Sequence, residues 1–378
     1  MNTNLGNIKL EPYSPKLLTH VGVTYDISTP TIELKKAKAA VSNGVDIIAD
    51  ASLGKRSIET LNLLCKNLET PVTCLPGYIL ATKNDGNALP NNLSKNELLE
   101  TVEEIFLIGA KGITIHPMID RELIKKINNS NRIFPFTSRM GHYIRKYLEY
   151  NKDNPFYKYF PEIVNLAKKY NANISLGVST RSPSVINNGG FDELFKREIT
   201  KSRELIELCN KNDVNVTLEA GGHITLEQMP KWYNYVKSQC NNVPLRVLIV
   251  STDRGMGHDN VSGAISATYL ARLGVEIICI VTRAEHISQP TIDDILESVF
   301  DYKIALASAF PNMDKEYLVA KARAEGGCHL PNVMKNVIDP EGAIKAVKLR
   351  TRMGLNEESF DTELSTCTMC GSSCPLKC

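Results

Sequence analysis

The chain has 378 residues, 43% of them hydrophobic, with 44 basic against 42 acidic side chains. That length buries a large core without disulfide staples, either as one big barrel with an appendage or as two domains. Charges that nearly cancel leave no overall field to gather nucleic acid or an anionic membrane, so the expected partner is a small molecule.

The N-terminus, MNTNLGNIKLEPYSPK, lacks an apolar signal core, and no stretch approaches the roughly 18 uninterrupted apolar residues that cross a bilayer, so a cytoplasmic protein is expected. Residues 1–45 are read as an N-terminal segment. From 46 to 309, short apolar runs alternate with longer segments of helical periodicity. The runs are DIIADAS (46–52), PVTCLPG (71–77), GITIHPM (112–118), RIFPFTS (132–138), NISLGVS (173–179), NVTLEAG (215–221), RVLIVST (246–252) and EIICIVT (276–282). Runs this apolar and β-branched predict strands buried on both faces, as parallel sheets require. Intervening segments such as ELLETVEEIFLIGAKG and ELFKREITKSRELIELCNKND carry the i, i+3, i+4 stripe of a helix packed on one side. Eight such units in about 260 residues predict an α/β fold of the (β/α)8 TIM-barrel type. A doubly wound sheet is the alternative, but LGKRSIET after the first run does not supply its glycine-rich turn. Residues 310–378 are read as a C-terminal helical tail.

Barrel chemistry is carried at the C-terminal rim. The residues at or just after the run ends are Asp50 and Ser52, Tyr78, His116, Ser138 and Arg139, Arg181, Glu219 and His223, Thr252 and Asp253, then Arg283, Glu285 and His286. Strand-to-loop junctions are polar in any barrel. Three of the seven histidines at such ends are harder to assign to that alone.

The last twelve residues, CTMCGSSCPLKC, bring together Cys367, Cys370, Cys374 and Cys378. Thiolates at this spacing suit an iron–sulfur cluster, a structural zinc knot using all four sulfurs, or a disulfide pair. A catalytic cluster needs only three, which leaves one iron open. The other six cysteines are scattered without paired spacing, as buried small hydrophobes in a reducing compartment are.

LEAGGHITLEQM (218–229), STDRGMGHDNVSGAISA (251–267), IVTRAEHISQPTIDDI (280–295) and VAKARAEG (319–326), ahead of the cysteine motif, resemble the phosphomethylpyrimidine synthase family, the ThiC-type group of radical S-adenosylmethionine (SAM) enzymes. NPFYKYFPEIVNLAKKYNANISLG (154–177), GITIHPM and FTSRMG (136–141) extend the match upstream. The resemblance implies a homodimeric barrel whose terminal cysteines carry a [4Fe-4S] cluster. SAM on the open iron is cleaved by an electron from a donor such as ferredoxin or flavodoxin, and the 5′-deoxyadenosyl radical rearranges 5-aminoimidazole ribotide (AIR). In the thiamin branch the product is 4-amino-5-hydroxymethyl-2-methylpyrimidine phosphate. A sister branch makes 5-hydroxybenzimidazole, a lower ligand of cobamides. A paralogous subunit, another ribotide, or a non-catalytic barrel with a zinc knot are the remaining alternatives.

Carried over position by position, the resemblance implies cluster ligands at Cys367, Cys370 and Cys374, with Cys378 as a spare thiol or alternate ligand. The histidines of the family's EGPGH and KEH motifs fall on His223 and His286, a pair that binds a second metal, usually zinc. Ribotide contacts fall on Tyr78, His116, the Ser138–Arg139–Gly141 turn, Arg181 and Glu219, and Asp253 matches the family's TTD motif. There are departures. The second cysteine gap is three residues rather than four, His20 replaces an asparagine, Ala49 a methionine and Val178 an aspartate, and His258 stands where tyrosine is usual.

Overall fold

The computed structural model describes residues 4–24, 27–83, 86, 88–186, 190–325, 330–352, 369, 373 and 375. The chain divides into two units, 1–302 and 303–378.

The first unit opens with a short hairpin, β1 (Asn4–Leu5) and β2 (Ile8–Lys9), turned at Gly6, whose φ of 59° suits a residue without Cβ. Then come β3 (Lys16–Val21), α1 (Pro30–Ser42), β4 (Ile47–Asp50), α2 (Ser57–Asn67), β5 (Val72–Cys74), α3 (Pro76–Thr82), α4 (Lys95–Ile108) and β6 (Gly112–Ile115). Next follow α5 (Arg121–Asn128), α6 (Arg139–Tyr150), α7 (Pro155–Lys158), α8 (Phe160–Lys169), β7 (Asn173–Gly177), α9 (Glu193–Lys211) and β8 (Val216–His223). After these lie α10 (Met229–Gln239), β9 (Leu245–Val250), α11 (Asp259–Leu273) and β10 (Ile277–Cys279), and α12 (Ile292–Ala309) runs across the unit boundary. Local chemistry starts and stops the helices. Thr29, Ser94, Asp120 and Asp192 cap the first turns of α1, α4, α5 and α9 with side-chain oxygens, and Gly109 and Gly274 end α4 and α11 in the left-handed conformation.

β3 to β10 close into one all-parallel barrel in the order β10-β3-β4-β5-β6-β7-β8-β9, so the fold is the (β/α)8 type expected. One expected strand is wrong. RIFPFTS (132–138) is irregular, because Pro135 has no N–H for a ladder and Ile133 and Phe134 are 63% and 53% exposed. The missing strand is β3, KLLTHV, so the barrel begins at residue 16, inside the stretch set aside as an N-terminal segment ending at 45. Thr19 and His20 interrupt the apolar pattern there, and His20 turns out to belong to the lumen.

Near the strand starts the lumen is filled by Leu18, Ile47 and Ile277, with Ala49 and Cys279 further along the same strands, and Leu5 and Leu10 of the hairpin segment pack onto this cluster as a plug. At the strand ends the lumen is polar. The second unit, as described, holds α13 (Met313–Glu325), α14 (Leu330–Met334) and α15 (Pro340–Arg352). No helix among the described residues is long and apolar enough to cross a membrane.

Candidate functional site

The C-terminal ends of the strands enclose a cavity of about 650 Å³. Its floor is set by Arg246, which is the second residue of β9 and is 2% exposed. Register places Arg246 beside Glu219 of β8. The guanidinium donates from Nη1 to Thr114 Oγ1 at 2.7 Å and from Nη2 to His20 Nε2 at 2.8 Å, with Glu219 Oε2 3.4 Å away. Arg181, on the loop after β7, holds the other oxygen of Glu219 at 2.9 Å. Burial opposes ionisation of Glu219, yet the Arg246 guanidinium and then that of Arg181 pull its carboxyl down to about 2. His20 is pushed down to about 3 by burial first and by Arg246 second. Its imidazole is therefore neutral. A guanidinium can only donate, so His20 Nε2 accepts and Nδ1 carries the hydrogen.

The opposite wall comes from the loop after β6 and the start of α6. His116 Nε2 lies 2.9 Å from Ser138 Oγ, and burial holds its imidazole down to about 3. Ser138 is the residue before α6 and Arg139 its first residue, and the Arg139 guanidinium stacks 5.2 Å from the centre of the Tyr78 ring. Tyr78, His116, Ser138, Arg139, Arg181, Glu219 and His286 thus face one cavity. Gly141 does not line it. Its N–H already donates to the Ser138 carbonyl, and a Cβ there would meet Phe136 at 2.8 Å, so this glycine serves close packing rather than an anion cradle.

The remaining wall joins the loops after β3 and β10. Glu33, 1% exposed, accepts from the Gly22 N–H and Lys36 Nζ, each at 2.8 Å, and Gln289 Nε2 donates to the Gly22 carbonyl oxygen.

The two histidines of the EAGGH and RAEH segments meet at this rim, with ring centres 5.1 Å apart. His223 ends β8, and Gly221 and Gly222 before it have φ of 122° and 103°. A Cβ on either would lie within 2.5 Å of a backbone oxygen, so the double glycine is what lets the strand turn and deliver His223. His223 Nδ1 lies 2.6 Å from Asp253 Oδ1, and His286 Nδ1 lies 3.1 Å from Asp259 Oδ1. Asp253 also accepts from Ser184 Oγ at 2.5 Å and from the Val185 N–H. Burial raises the Asp253 carboxyl, but these Ser184 and His223 hydrogen bonds bring it below the usual carboxylate range. Asp253 is therefore placed behind His223 and not on the cavity wall, which departs from its expected role as a substrate contact.

Does this pair fit a divalent metal? Two imidazoles bound through nitrogen at about 2.0–2.1 Å to one tetrahedral ion have ring centres about 5 Å apart, as these do. Both Nδ1 atoms face carboxylates, so the Nε2 atoms are the edges through which the pair would hold an ion. Among the described residues no group of three or more His, Cys, Asp or Glu is placed to hold an ion, so other ligands would have to come from water or substrate. Cys367, Cys370, Cys374 and Cys378 lie outside the described residues.

The sequence reading did not single out Arg246, Glu33, Gln289 or Asp259. Arg246 had a readable signal, a lone charge inside the apolar run RVLIV.

A Radical SAM ThiC family model matches residues 11–378, which takes in the barrel and the cysteine motif. The phosphomethylpyrimidine synthase of Pyrococcus furiosus is 30% identical over 369 residues, covering 96% of this chain and 83% of that protein. The phosphomethylpyrimidine synthase of Carboxydothermus hydrogenoformans is 30% identical over 355 residues, covering 91% and 80%. For that of Methanopyrus kandleri the figures are 27% over 370 residues, 96% and 83%.

Proposed function

Because the chain belongs to the Radical SAM ThiC family, we propose that it is a radical SAM lyase that rearranges AIR to 4-amino-5-hydroxymethyl-2-methylpyrimidine phosphate in thiamin synthesis. The observation that carries this reading is the coincidence, in one cavity, of the Arg139 guanidinium stacked on Tyr78, a buried Arg–Glu–Arg floor and His286, whose ring centre lies 5.1 Å from that of His223. Cys367, Cys370 and Cys374 hold the [4Fe-4S] cluster, Cys378 being the spare thiol. Such a cluster, once reduced, would supply the electron that splits SAM into methionine and the 5′-deoxyadenosyl radical. His223 and His286 hold a divalent cation, zinc or a similar ion, which supplies a Lewis-acidic site.

The chain's own residues bind and orient. Arg139, stacked on Tyr78, is the cation for the ribotide phosphate. Arg181 and Arg246 fix Glu219 as an ionised acceptor beneath the substrate, suited to an amine or a ring N–H. His116 and Ser138 form a hydrogen-bonded pair beside it. The working form in this reading is a homodimer served by a ferredoxin or flavodoxin in the cytoplasm.

A second product, 5-hydroxybenzimidazole from the same ribotide, is favoured by one observation. His20, where the family carries asparagine, is built into the cavity floor through Arg246. The test is an anaerobic incubation of reconstituted protein with SAM, a strong reductant and AIR, with products read by mass spectrometry. Hydroxymethylpyrimidine phosphate supports the proposal and 5-hydroxybenzimidazole the second reading. Absence of both, in protein containing iron and sulfide, would overturn them.

A further inference from the structure

We propose that Asp253 and Asp259 are positioning residues for the histidine pair, each fixing its imidazole with hydrogen on Nδ1 so that both Nε2 lone pairs serve one divalent cation. The inference rests on the reading of His223 and His286 as a cation site, and extends it to the carboxylates behind them.

Two features carry it. Each Nδ1 has its own carboxylate, at 2.6 Å and 3.1 Å, and the two carboxylates come from different elements, the turn after β9 and the first residue of α11. A carboxylate accepts only, so His223 Nδ1, hydrogen-bonded to Asp253, donates, and His286 Nδ1, in ion-pair contact with Asp259, is placed to donate likewise, which puts the remaining lone pair of each ring at Nε2. The carboxylates are themselves unusual. Asp253 is held by Ser184 Oγ at 2.5 Å and by the Val185 N–H at 3.1 Å, which extends the support of His223 into the loop after β7. Asp259 is 1% exposed and its Oδ2 has no hydrogen-bond partner among the described residues. Leaving a buried carboxylate oxygen unsatisfied costs stability, and a residue serving only as a helix start would satisfy it or be solvated.

The test is a cobalt(II) titration of the cluster-loaded, full-length protein against a competing chelator, with metal per chain counted by elemental analysis. Loading the cluster first keeps the terminal thiols from capturing cobalt. His223→Gln defines the site by the cobalt it loses; if it binds cobalt as the wild type does, the histidine-pair reading fails and the inference with it. Asp253→Asn and Asp259→Asn are each expected to weaken the same site about 10- to 100-fold. Ser184→Ala should weaken it by a smaller factor. Metal-free Asp253→Asn should lose some stability with the Ser184 and Val185 hydrogen bonds, so the deciding readout is its cobalt affinity: a merely structural role would lower the midpoint and leave the affinity unchanged. Asp253 is one-third exposed, so this variant keeps the test open even where Asp259→Asn fails to fold. Wild-type cobalt affinity in Asp253→Asn would overturn the proposal.

Discussion

The two ends of the barrel lumen are built from the same eight strands and do opposite work. At the strand starts Leu18, Ile47 and Ile277 pack under Leu5 and Leu10, with no polar group among them. Above them, Arg246, Glu219 and Arg181 lock an ion-pair chain, beside which His20 and His116 stay neutral. Leu18 and His20 stand two positions apart in the sequence, and both point into the lumen because side chains on a strand alternate. The fold keeps stability and chemistry on one strand by stacking them in layers. Mutations in the lower layer should cost folding alone, and those in the upper layer should cost both.

The sharpest way to break this separation is Glu219→Gln. It leaves two buried guanidiniums without their counter-ion, and removing one partner of such a network costs about 3–5 kcal/mol. Urea denaturation should show that loss, and any folded fraction should fail to bind ribotide. Leu18→Ala is the counterpart. It should cost about 2–4 kcal/mol through a cavity in the plug, with KM and turnover of the folded protein unchanged. Next in size, Arg139→Ala should raise the ribotide KM about tenfold with a smaller change in kcat, as for a lost phosphate clamp. An unchanged KM would remove Arg139 from the phosphate site.

The smallest effect is a slope with pH. His20 and His116 are held at about 3 in the fold against 6.5 when unfolded, so between those values the unfolded chain binds more protons. Stability is therefore full above pH 6.5 and falls as the pH drops toward 3. The urea midpoint should be lower at pH 5 than at pH 7, and His116→Gln should flatten part of that difference. A midpoint that rose on acidification would mean that the two imidazoles are charged in the fold.

Most of the barrel strands and the rim position of the two histidines were legible in the sequence for different reasons. Runs such as GITI and NISLG are buried on both faces, so their composition alone marks them as parallel strands. His223 and His286 were legible because a rim histidine has few structural reasons to follow a strand end. β3 was not legible as a strand, since its inward His20 belongs to the polar layer and, with Thr19 before it, breaks the apolar pattern. RIFPFTS misled in the opposite sense, with apolar residues that lie exposed on a loop. The function of Gly141 and Asp253 could not be read from residue type at all. Glycine before a helix suits an anion or a tight contact, and an aspartate near a site can face the substrate or the back of a histidine. Only distances decide between those.

The measurement that tests the layered account most directly is a crystal structure of the protein with AIR. The expected result is ribotide density in the upper cavity, with the phosphate at Arg139 and the imidazole over Glu219. Density instead in the hollow of about 580 Å³ lined by Cys65, Glu69 and Lys111, with the upper cavity empty at saturating ribotide, would contradict it.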